Sequence, residues 1–276
     1  SIFKPITMAA AVDADKVSPS TTYEDTGQVQ IGPYTIRNSD GKANGIQTMT
    51  QVLEKSLNTG TIFAVRELGA EAFLKYVSGF GFGSRTGIEL GAEAGGNISS
   101  LEKSGDIWSA TASYGQGITA TPLQMAVAVG AIANGGKLMR PYVVDRVVSP
   151  DGHEQPTEPE TVRQIISKRA ATLIGGMMVR VVEDGHGKRA GVPGYWVAGK
   201  TGTAQVARAG GGGYDSSAFI GSFVGFAPVD DPKFVMLVKI DRPKDVDWAE
   251  TSAAPLFGEI AEFLLDYMQI PPSRAK

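Results

Sequence analysis

Apolar residues recur at helical spacing in several stretches of the chain. Residues 2–12 are apolar on nearly all sides, which indicates a buried helix whose first turn starts at Ser1. Apolar positions return every three or four residues over 47–78, which predicts a lobe made of helices. The same spacing predicts further helices over residues 123–133, 167–183 and 255–268, the last of them amphipathic.

Segments rich in β-branched and aromatic residues predict strands in the second half of the chain. Residues 219–226 and 234–240 are separated by a turn rich in Pro and Asp, which makes them an antiparallel pair. Glycine-rich composition predicts irregular chain over 80–100 and a mobile loop over 209–217. Further strands are expected over residues 142–148 and 195–206.

These elements predict a mixed α/β (α+β) fold. Residues 1–44 and 135–276 would form a lobe in which helices cover both sides of an antiparallel sheet. A helical lobe over about residues 45–134 would be inserted in it. We expect a functional cleft between the two lobes.

Composition excludes several classes of function. The 276 residues include 26 basic and 29 acidic ones without a long run of one sign, so nucleic acid is not an expected partner. The chain has no cysteine, which excludes disulfides, thiol catalysis and thiolate metal sites. Its two histidines, His153 and His186, stand in polar, glycine-rich surroundings, so a His-based triad or zinc site is not expected. No segment approaches the roughly 20 apolar residues that span a bilayer.

Three short motifs with reactive side chains follow one another along the chain. Each is common by itself, and only the ordered set is informative. The motifs are Ser1-Ile2-Phe3-Lys4, Ser56-Leu57-Asn58 and Lys200-Thr201-Gly202-Thr203.

The residue types in these motifs suit acyl transfer through a serine. On a helix, residues three apart share a face, so the Lys4 amine can lie against the Ser1 hydroxyl. If that amine is buried near another cation, its pKa falls and the neutral amine can accept the serine proton. A second serine beside an asparagine can pass a proton to the leaving group and hold a substrate amide. A strand bearing Lys200 and two threonines suits a substrate carboxylate.

The ordered triplet resembles the active-site set of penicillin-binding proteins and serine β-lactamases. Longer segments extend the resemblance to class B penicillin-binding proteins, most closely the septal cell-division transpeptidases, over nearly the whole chain. It implies the penicillin-binding protein and serine β-lactamase-like fold for residues 1–276. The further segments are Tyr114-Gly115-Gln116-Gly117, Thr121-Pro122-Leu123-Gln124, residues 198–205 and residues 222–228.

The resemblance implies a serine-type D-Ala-D-Ala transpeptidase that cross-links peptidoglycan stem peptides and is acylated by β-lactams. Ser1 would be the nucleophile and Lys4 its general base. Ser56 would relay a proton to the leaving group, and Asn58 would contact both Lys4 and the substrate amide.

In the third motif, the resemblance implies that Lys200 supplies positive potential. Thr201, Gly202 and Thr203 would bind the terminal carboxylate of the substrate. The oxyanion hole would come from the backbone N–H groups of Ser1 and Thr203. No metal or organic cofactor is implied.

The family also implies partners and a location. The substrate would be a stem peptide on a lipid-linked precursor or nascent glycan, and the protein partners would be divisome proteins and a glycan polymerase. The site would face the periplasm or the cell exterior. Family members carry strands of the catalytic domain, a further domain and a membrane anchor before the nucleophile. We therefore expect this chain to be a fragment, or its upstream part to lie in another chain.

Several related activities share these motifs. A serine β-lactamase adds a carboxylate that activates water, and Glu93 with Asn97 superficially resembles such a pair, although the surrounding glycines favour a plain loop. A β-lactam sensor is acylated once and signals. A carboxypeptidase differs only in using water as the acceptor. An N-terminal nucleophile hydrolase would leave the second and third motifs unexplained.

Overall fold

The computed structural model describes residues 1–207, 214–244, 246 and 248–274, and gives the backbone alone at 207 and 214–217. Its α-helices are α1 (Lys4–Asp13), α2 (Met49–Glu54), α3 (Asn58–Leu68), α4 (Ala70–Gly79), α5 (Asp106–Ser113), α6 (Pro122–Ala133), α7 (Lys168–Glu183) and α8 (Ala253–Tyr267). Its strands are β1 (Thr22–Asp25), β2 (Gln28–Ile31), β3 (Tyr34–Arg37), β4 (Gly45–Thr48), β5 (Lys137–Met139), β6 (Arg146–Val148), β7 (Glu154–Pro156), β8 (Thr161–Gln164), β9 (Ala198–Ala207), β10 (Tyr214–Ala227) and β11 (Phe234–Asp241). Short 3₁₀ turns lie at Ser99–Glu102 and Lys188–Ala190. None of the helices in the described residues is both long and apolar enough to cross a membrane.

The main sheet has three antiparallel strands in the order β11-β10-β9. Phe223 of β10 packs on Phe257 of α8, with ring centroids 4.6 Å apart. The next residue, Val224, belongs to the apolar cluster formed with α1, α6 and α7. Because successive strand residues point to opposite faces, helices cover both sides of the sheet. The predicted fold class and the antiparallel pair are confirmed.

Helix α1 is buried on all sides, as the sequence predicts, with every residue from Lys4 to Val12 inaccessible to solvent. It begins at Lys4 rather than at Ser1, which lies in the preceding turn. Thr7 donates a hydrogen bond from Oγ1 to the Ser113 carbonyl oxygen at 2.7 Å. The Ser113 hydroxyl donates in turn to Thr61 Oγ1 at 3.2 Å. These buried hydroxyls fasten α1 to α5 and α3.

Four short strands precede α2, in a region for which the sequence predicted no element. β1 pairs with β4, and β2 pairs with β3, both antiparallel. The part expected to be helical from residue 45 therefore starts with a strand, in which Ile46 is exposed and Gln47 is buried. Helices then follow from Met49.

Three strand predictions need correction. Residues 142–145 are not strand, because they lie on the surface without a partner strand and the Val143 N–H donates to a Glu89 carboxylate oxygen instead. β9 starts at Ala198 rather than at 195, since the Tyr195 N–H is used in a turn to the Val192 carbonyl. β10 already begins at Tyr214, and the rest of the loop predicted over 209–217 lies largely outside the described residues.

The glycine-rich segment 80–98 is irregular, as predicted, and a buried side chain of α6 holds it in place. Thr121 and Gln124 form a capping box at the start of α6. The Gln124 side-chain amide also donates to the Ser84 and Gly95 carbonyl oxygens, at 2.7 Å each. These bonds replace the backbone pairing that the irregular segment lacks.

Replacing two helical glycines by alanine should change stability in opposite directions. A Cβ at Gly60 of α3 would overlap the side chain of Val52 and come within 2.9 Å of the Tyr23 hydroxyl. Because Val52 is stiff and buried, we expect Gly60→Ala to lower the free energy of unfolding by about 1–3 kcal/mol. Gly176 of α7 has open space around it. Gly176→Ala should raise the free energy of unfolding by about 0.5–1 kcal/mol.

Urea unfolding of both variants measures these values. Gly60→Ala protein as stable as the wild type would show that α2 and α3 can separate without cost. That result would contradict the close packing described above.

Candidate active site

The three sequence motifs meet at the hydroxyl of Ser56. The Lys4 amine donates to Ser56 Oγ at 3.0 Å, and the Lys200 amine donates to the same oxygen at 2.9 Å. Lys4 also donates to the Ser56 carbonyl oxygen at 2.5 Å, and Lys200 to the Thr201 carbonyl oxygen at 3.0 Å. Helix α1, the α2–α3 connection and strand β9 thus converge on one oxygen atom.

Both lysine side chains are 0% exposed, which changes their acid strength. Burial lowers the pKa of Lys4 well below its usual value, and the positive charge of Lys200 lowers it further. Burial also lowers the pKa of Lys200, to about 7. Each amine therefore gives up its proton far more readily than an exposed lysine does.

Ser1 lies in a turn between two glycines of other motifs. A Cβ at Gly202 of β9 would come within 3.0 Å of the Ile2 nitrogen, and one at Gly115 within 3.7 Å of the Ser1 nitrogen. Both glycines let the chain pass close to this turn. Ser1 is half-buried. Among the described residues, no hydrogen bond joins its hydroxyl to Lys4, whose amine is directed to Ser56.

Ser56 has a left-handed backbone conformation, with φ of 56°. Its N–H bonds to the Leu53 carbonyl, and the Leu57 N–H bonds to the Val52 carbonyl. This pair of bonds is the Schellman motif that ends many helices, and its left-handed position is usually glycine. A serine there is strained, and its side chain is the one that both lysines contact.

Asn58 is the first residue of α3, and its position is fixed by a residue that sequence reasoning missed. Leu57 stands at the cap position and has no polar side chain to satisfy the first N–H groups of the helix. Asn38 does so instead, with Oδ1 accepting from the Asn58 N–H at 2.9 Å and the Thr59 N–H at 3.3 Å. Asn38 thus acts as an N-cap from a distant part of the chain.

Asn38 is held by Asp25, a buried carboxylate that was also missed. Asp25 accepts from the Asn38 amide at 2.9 Å, from the Thr59 hydroxyl at 2.7 Å and from the Asn44 amide at 2.7 Å. Burial acts to raise the pKa of Asp25, but these bonds and one from the Gly27 N–H outweigh it and lower the pKa. In a sequence, such Asp and Asn residues indicate only turns.

The resemblance implied that Asn58 contacts Lys4, but the described residues show no hydrogen bond between these two side chains. The Asn58 amide Nδ2 donates to the Arg37 carbonyl oxygen at 2.8 Å. The hydrogen bonds of the Lys4 amine go to Ser56, so the two groups are engaged with different partners. Asn58 is half-buried at the start of α3. It lies beside the connection between α2 and α3 that contains Ser56, which we call the α2–α3 corner.

The remaining predicted residues lie along β9, the terminal strand of the sheet in the described part of the chain. Thr201 is buried, with its hydroxyl oxygen 3.4 Å from the Lys200 amine. Thr203 is half-buried, and its hydroxyl oxygen accepts from the Ala249 N–H at 3.0 Å. Among the described residues no acceptor takes the Thr203 hydroxyl proton, which can therefore be donated to an anionic group.

Glu93, the carboxylate that could have indicated a β-lactamase, is engaged in its own loop. It accepts from the Thr86 hydroxyl at 2.6 Å, the Thr86 N–H at 2.7 Å and the Gly87 N–H at 3.1 Å. The Thr86 hydroxyl bond is the main cause that lowers the pKa of Glu93. A carboxylate stabilised in this way is a weak base for activating water.

The chain belongs to the penicillin-binding protein transpeptidase family, since residues 1–262 match the family described as "Penicillin binding protein transpeptidase domain". It is 37% identical over 278 residues to the stage V sporulation protein D of Bacillus subtilis, covering 99% of this chain and 43% of that protein. It is 34% identical over 286 residues to the penicillin-binding protein PbpB of Mycobacterium tuberculosis, covering 99% of this chain and 42% of that protein. The chain spans less than half the length of these relatives.

Solved structures confirm the penicillin-binding protein and serine β-lactamase-like fold. The chain superposes on penicillin-binding protein 3 of Mycobacterium tuberculosis complexed with aztreonam with a TM-score of 0.91 and 31% identity, covering 99% of this chain and 63% of that one. For the transpeptidase domain of Burkholderia pseudomallei penicillin-binding protein 3, the TM-score is 0.88 and the identity 30%, with 99% and 80% covered.

Comparing two replacements of Ser56 should reveal the backbone strain at this corner. Ser56→Ala and Ser56→Gly both remove the hydroxyl, but only glycine adopts the left-handed conformation without a steric cost. We expect Ser56→Gly protein to be more stable than Ser56→Ala protein by about 1 kcal/mol in urea unfolding. Equal stabilities would mean that the corner is not strained.

Lys200→Met should remove part of the pH dependence of stability. The folded pKa of Lys200 is about 7, and an unfolded lysine titrates near 10.4. Between these pH values the unfolded state binds more protons, so the free energy of unfolding rises with pH, whereas below both pKa values Lys200 contributes no pH dependence. Between about pH 7.5 and 9.5, the free energy of unfolding should rise with pH more steeply in the wild type than in Lys200→Met, by roughly 1 kcal/mol per pH unit.

Urea unfolding at several pH values measures this difference. Lys239→Met, which removes a partly exposed lysine of β11, controls for the change in net charge. Parallel curves for the wild type and Lys200→Met would contradict the lowered pKa.

Proposed function

We propose that the protein is a serine-type D-Ala-D-Ala transpeptidase that cross-links peptidoglycan stem peptides through an acyl-enzyme on Ser1. The observation that carries this proposal is the Ser56 hydroxyl shared by two buried lysine amines, with the half-buried Ser1 in the turn beside β9. Family membership supports it, as do the relatives named peptidoglycan D,D-transpeptidase, one of them from Mesostigma viride.

In the first step, Ser1 attacks the carbonyl of the penultimate D-Ala. A neutral lysine amine has two N–H groups and one lone pair. The two N–H groups of Lys4 are directed to the carbonyl and hydroxyl oxygens of Ser56, which leaves the lone pair to accept the Ser1 proton. Because the pKa of Lys4 is lowered, this neutral form is populated closer to neutral pH than in an exposed lysine.

The proton then has to reach the departing D-Ala amine. The Ser56 hydroxyl has two acceptor lone pairs and one proton. Both lone pairs face lysine amines, so its proton is free to be donated to the leaving group. Ser56 can regain a proton from protonated Lys4, and the relay returns Lys4 to its neutral form.

Substrate binding is proposed for β9 and Asn58. Thr201, Gly202 and Thr203 lie on the terminal strand beside the Ser1 turn, where the hydroxyls and Lys200 can bind the terminal carboxylate. The Asn58 amide can hold a substrate peptide group. A second stem peptide then attacks the acyl-enzyme with its amine, forming the cross-link and releasing Ser1.

The setting of this reaction is also a proposal. The relatives include an FtsI homolog and a sporulation protein, which supports a role in the cell wall made at division or sporulation septa. We propose an extracytoplasmic site, with divisome proteins and a glycan polymerase as partners. β-Lactams are proposed as inhibitors, since structures of the Mycobacterium tuberculosis relative hold aztreonam and ampicillin.

Labelling with a fluorescent penicillin tests the proposal. We expect one adduct per protein molecule by intact mass. The adduct should persist over hours, because the Glu93 carboxylate is bonded to Thr86 in its own loop and is a weak base for activating water. Ser1→Ala protein should not be labelled. Ser20→Ala, which removes an exposed serine hydroxyl, serves as the matched control and should be labelled normally.

Three other outcomes would each contradict part of the proposal. Rapid loss of the adduct would indicate a β-lactamase. Labelling of Ser1→Ala would place the nucleophile elsewhere. Absence of any adduct on folded wild-type protein would contradict acyl-enzyme chemistry at this site.

A further inference from the structure

Asp25 and Asn38 form a buried polar pair behind the start of α3, and the chemistry assigned above does not use either of them. Asp25 is 1% exposed and Asn38 is 4% exposed. A groove of about 590 Å³ opens beside Asn58, with strand β3 on one side. Arg37 and Asn58 line this groove, but Asp25 and Asn38 do not. Any part that the buried pair takes in the reaction is therefore exerted through other residues.

The Asn38 amide has one orientation that satisfies both of its ends. Its Nδ2 donates to the two Asp25 carboxylate oxygens, at 2.9 Å and 3.0 Å. Its Oδ1 accepts from the Asn58 N–H at 2.9 Å and from the Thr59 N–H at 3.3 Å. An ionised carboxylate only accepts hydrogen bonds, so a reversed amide would set oxygen against oxygen at one end and N–H against N–H at the other. Asp25 thus decides which end of the Asn38 amide points to α3.

Two adjacent residues hold Asn58 at two of its atoms. The Asn58 N–H donates to the Asn38 side chain, and the Asn58 amide Nδ2 donates to the Arg37 carbonyl oxygen. Ser56 is two residues before Asn58, and the end of α2 holds its left-handed backbone on the other side. A displaced Asn58 would therefore move the Ser56 hydroxyl away from the two lysine amines that it contacts.

We propose that Asp25 and Asn38 are positioning residues for acyl transfer. Asp25 orients the Asn38 amide, and this amide holds the α2–α3 corner where the Ser56 hydroxyl meets both lysine amines. The proposal rests on the proposed transpeptidase function. Because neither residue touches the substrate, their replacement lowers the rate of the chemical steps more than it weakens substrate binding.

Exchanging the two side-chain types tests the proposal. Asn38→Asp sets two buried carboxylates against each other, and their repulsion displaces the α2–α3 corner. The double variant with Asp25→Asn and Asn38→Asp places an amide donor at position 25 and a carboxylate at position 38. This carboxylate can accept from the same two N–H groups of α3, and a negative charge is favourable at a helix N-terminus. A donor and an acceptor then face each other again.

The kinetics are measured with a thioester of D-alanine as the donor, whose thiol release gives kcat and KM. Exhaustive labelling with fluorescent penicillin counts the active molecules, so kcat is expressed per active molecule. We expect Asn38→Asp to lower this kcat by about ten- to a hundredfold and to change KM by less than about threefold. Asp25→Asn should lower kcat less, because one acceptor oxygen remains. The double variant should have a kcat about tenfold above that of Asn38→Asp and also above that of Asp25→Asn.

Asp40→Asn is the matched control, because it removes an exposed carboxylate two residues after Asn38. It should leave kcat and KM unchanged. A purely structural role would reduce the number of active molecules and leave kcat per active molecule at the wild-type value, which would overturn the proposal. A double variant no more active than the folded single variants would overturn it too. Asp25→Asn supplies this comparison if Asn38→Asp does not fold.

The wild type separates this inference from the proposed function. If penicillin labels Ser1 and the thioester is turned over, while kcat per active molecule does not depend on Asp25 and Asn38, only the positioning inference fails. If neither penicillin nor the thioester acylates folded wild-type protein, both fail.

Discussion

The site depends on two buried lysine amines that share one serine hydroxyl. Lys4 and Lys200 are both shielded from water, and a buried cation is costly unless it is bonded or loses its proton. Their common partner, Ser56, satisfies both amines and accounts for the geometry around it. Helix α1 must be buried, and β9 must pass beside the first turn of α1. The α2–α3 corner must present the Ser56 hydroxyl to both lysine amines.

Holding Ser56 in place involves a second polar cluster on the far side of the corner. The left-handed conformation of Ser56 is unfavourable for a residue with a side chain, so the helices on both sides must fix it. α3 is fixed at its start by Asn38, which is in turn held by the buried carboxylate of Asp25. Asp25 is the last residue of β1, and Asn38 directly follows β3, which also forms one wall of the groove in which Arg37 lies. The same small sheets thus support the corner and line the groove next to it.

Prediction from the sequence succeeded where periodicity was sustained. α7 runs from Lys168 to Glu183, as the helical spacing of its apolar residues indicated, and β10 and β11 pair as their composition and turn predicted. It failed for residues 22–48, where strands of four residues are too short to show a period and the polar residues indicate only turns. It also extended two strands too far, because apolar content does not tell whether a partner strand is present.

The sequence by itself determined the fold class and the buried first helix, and it named the candidate reactive side chains, because these depend on local periodicity and on short ordered motifs. Only the tertiary structure decided how those side chains are joined. Residues three apart on a helix suggested that Lys4 lies against Ser1, yet the Lys4 amine bonds to Ser56, and Asn58 bonds to Arg37 rather than to Lys4. Such contacts join residues far apart in the chain, and their geometry is set by the packing of whole helices and strands, which no local pattern records.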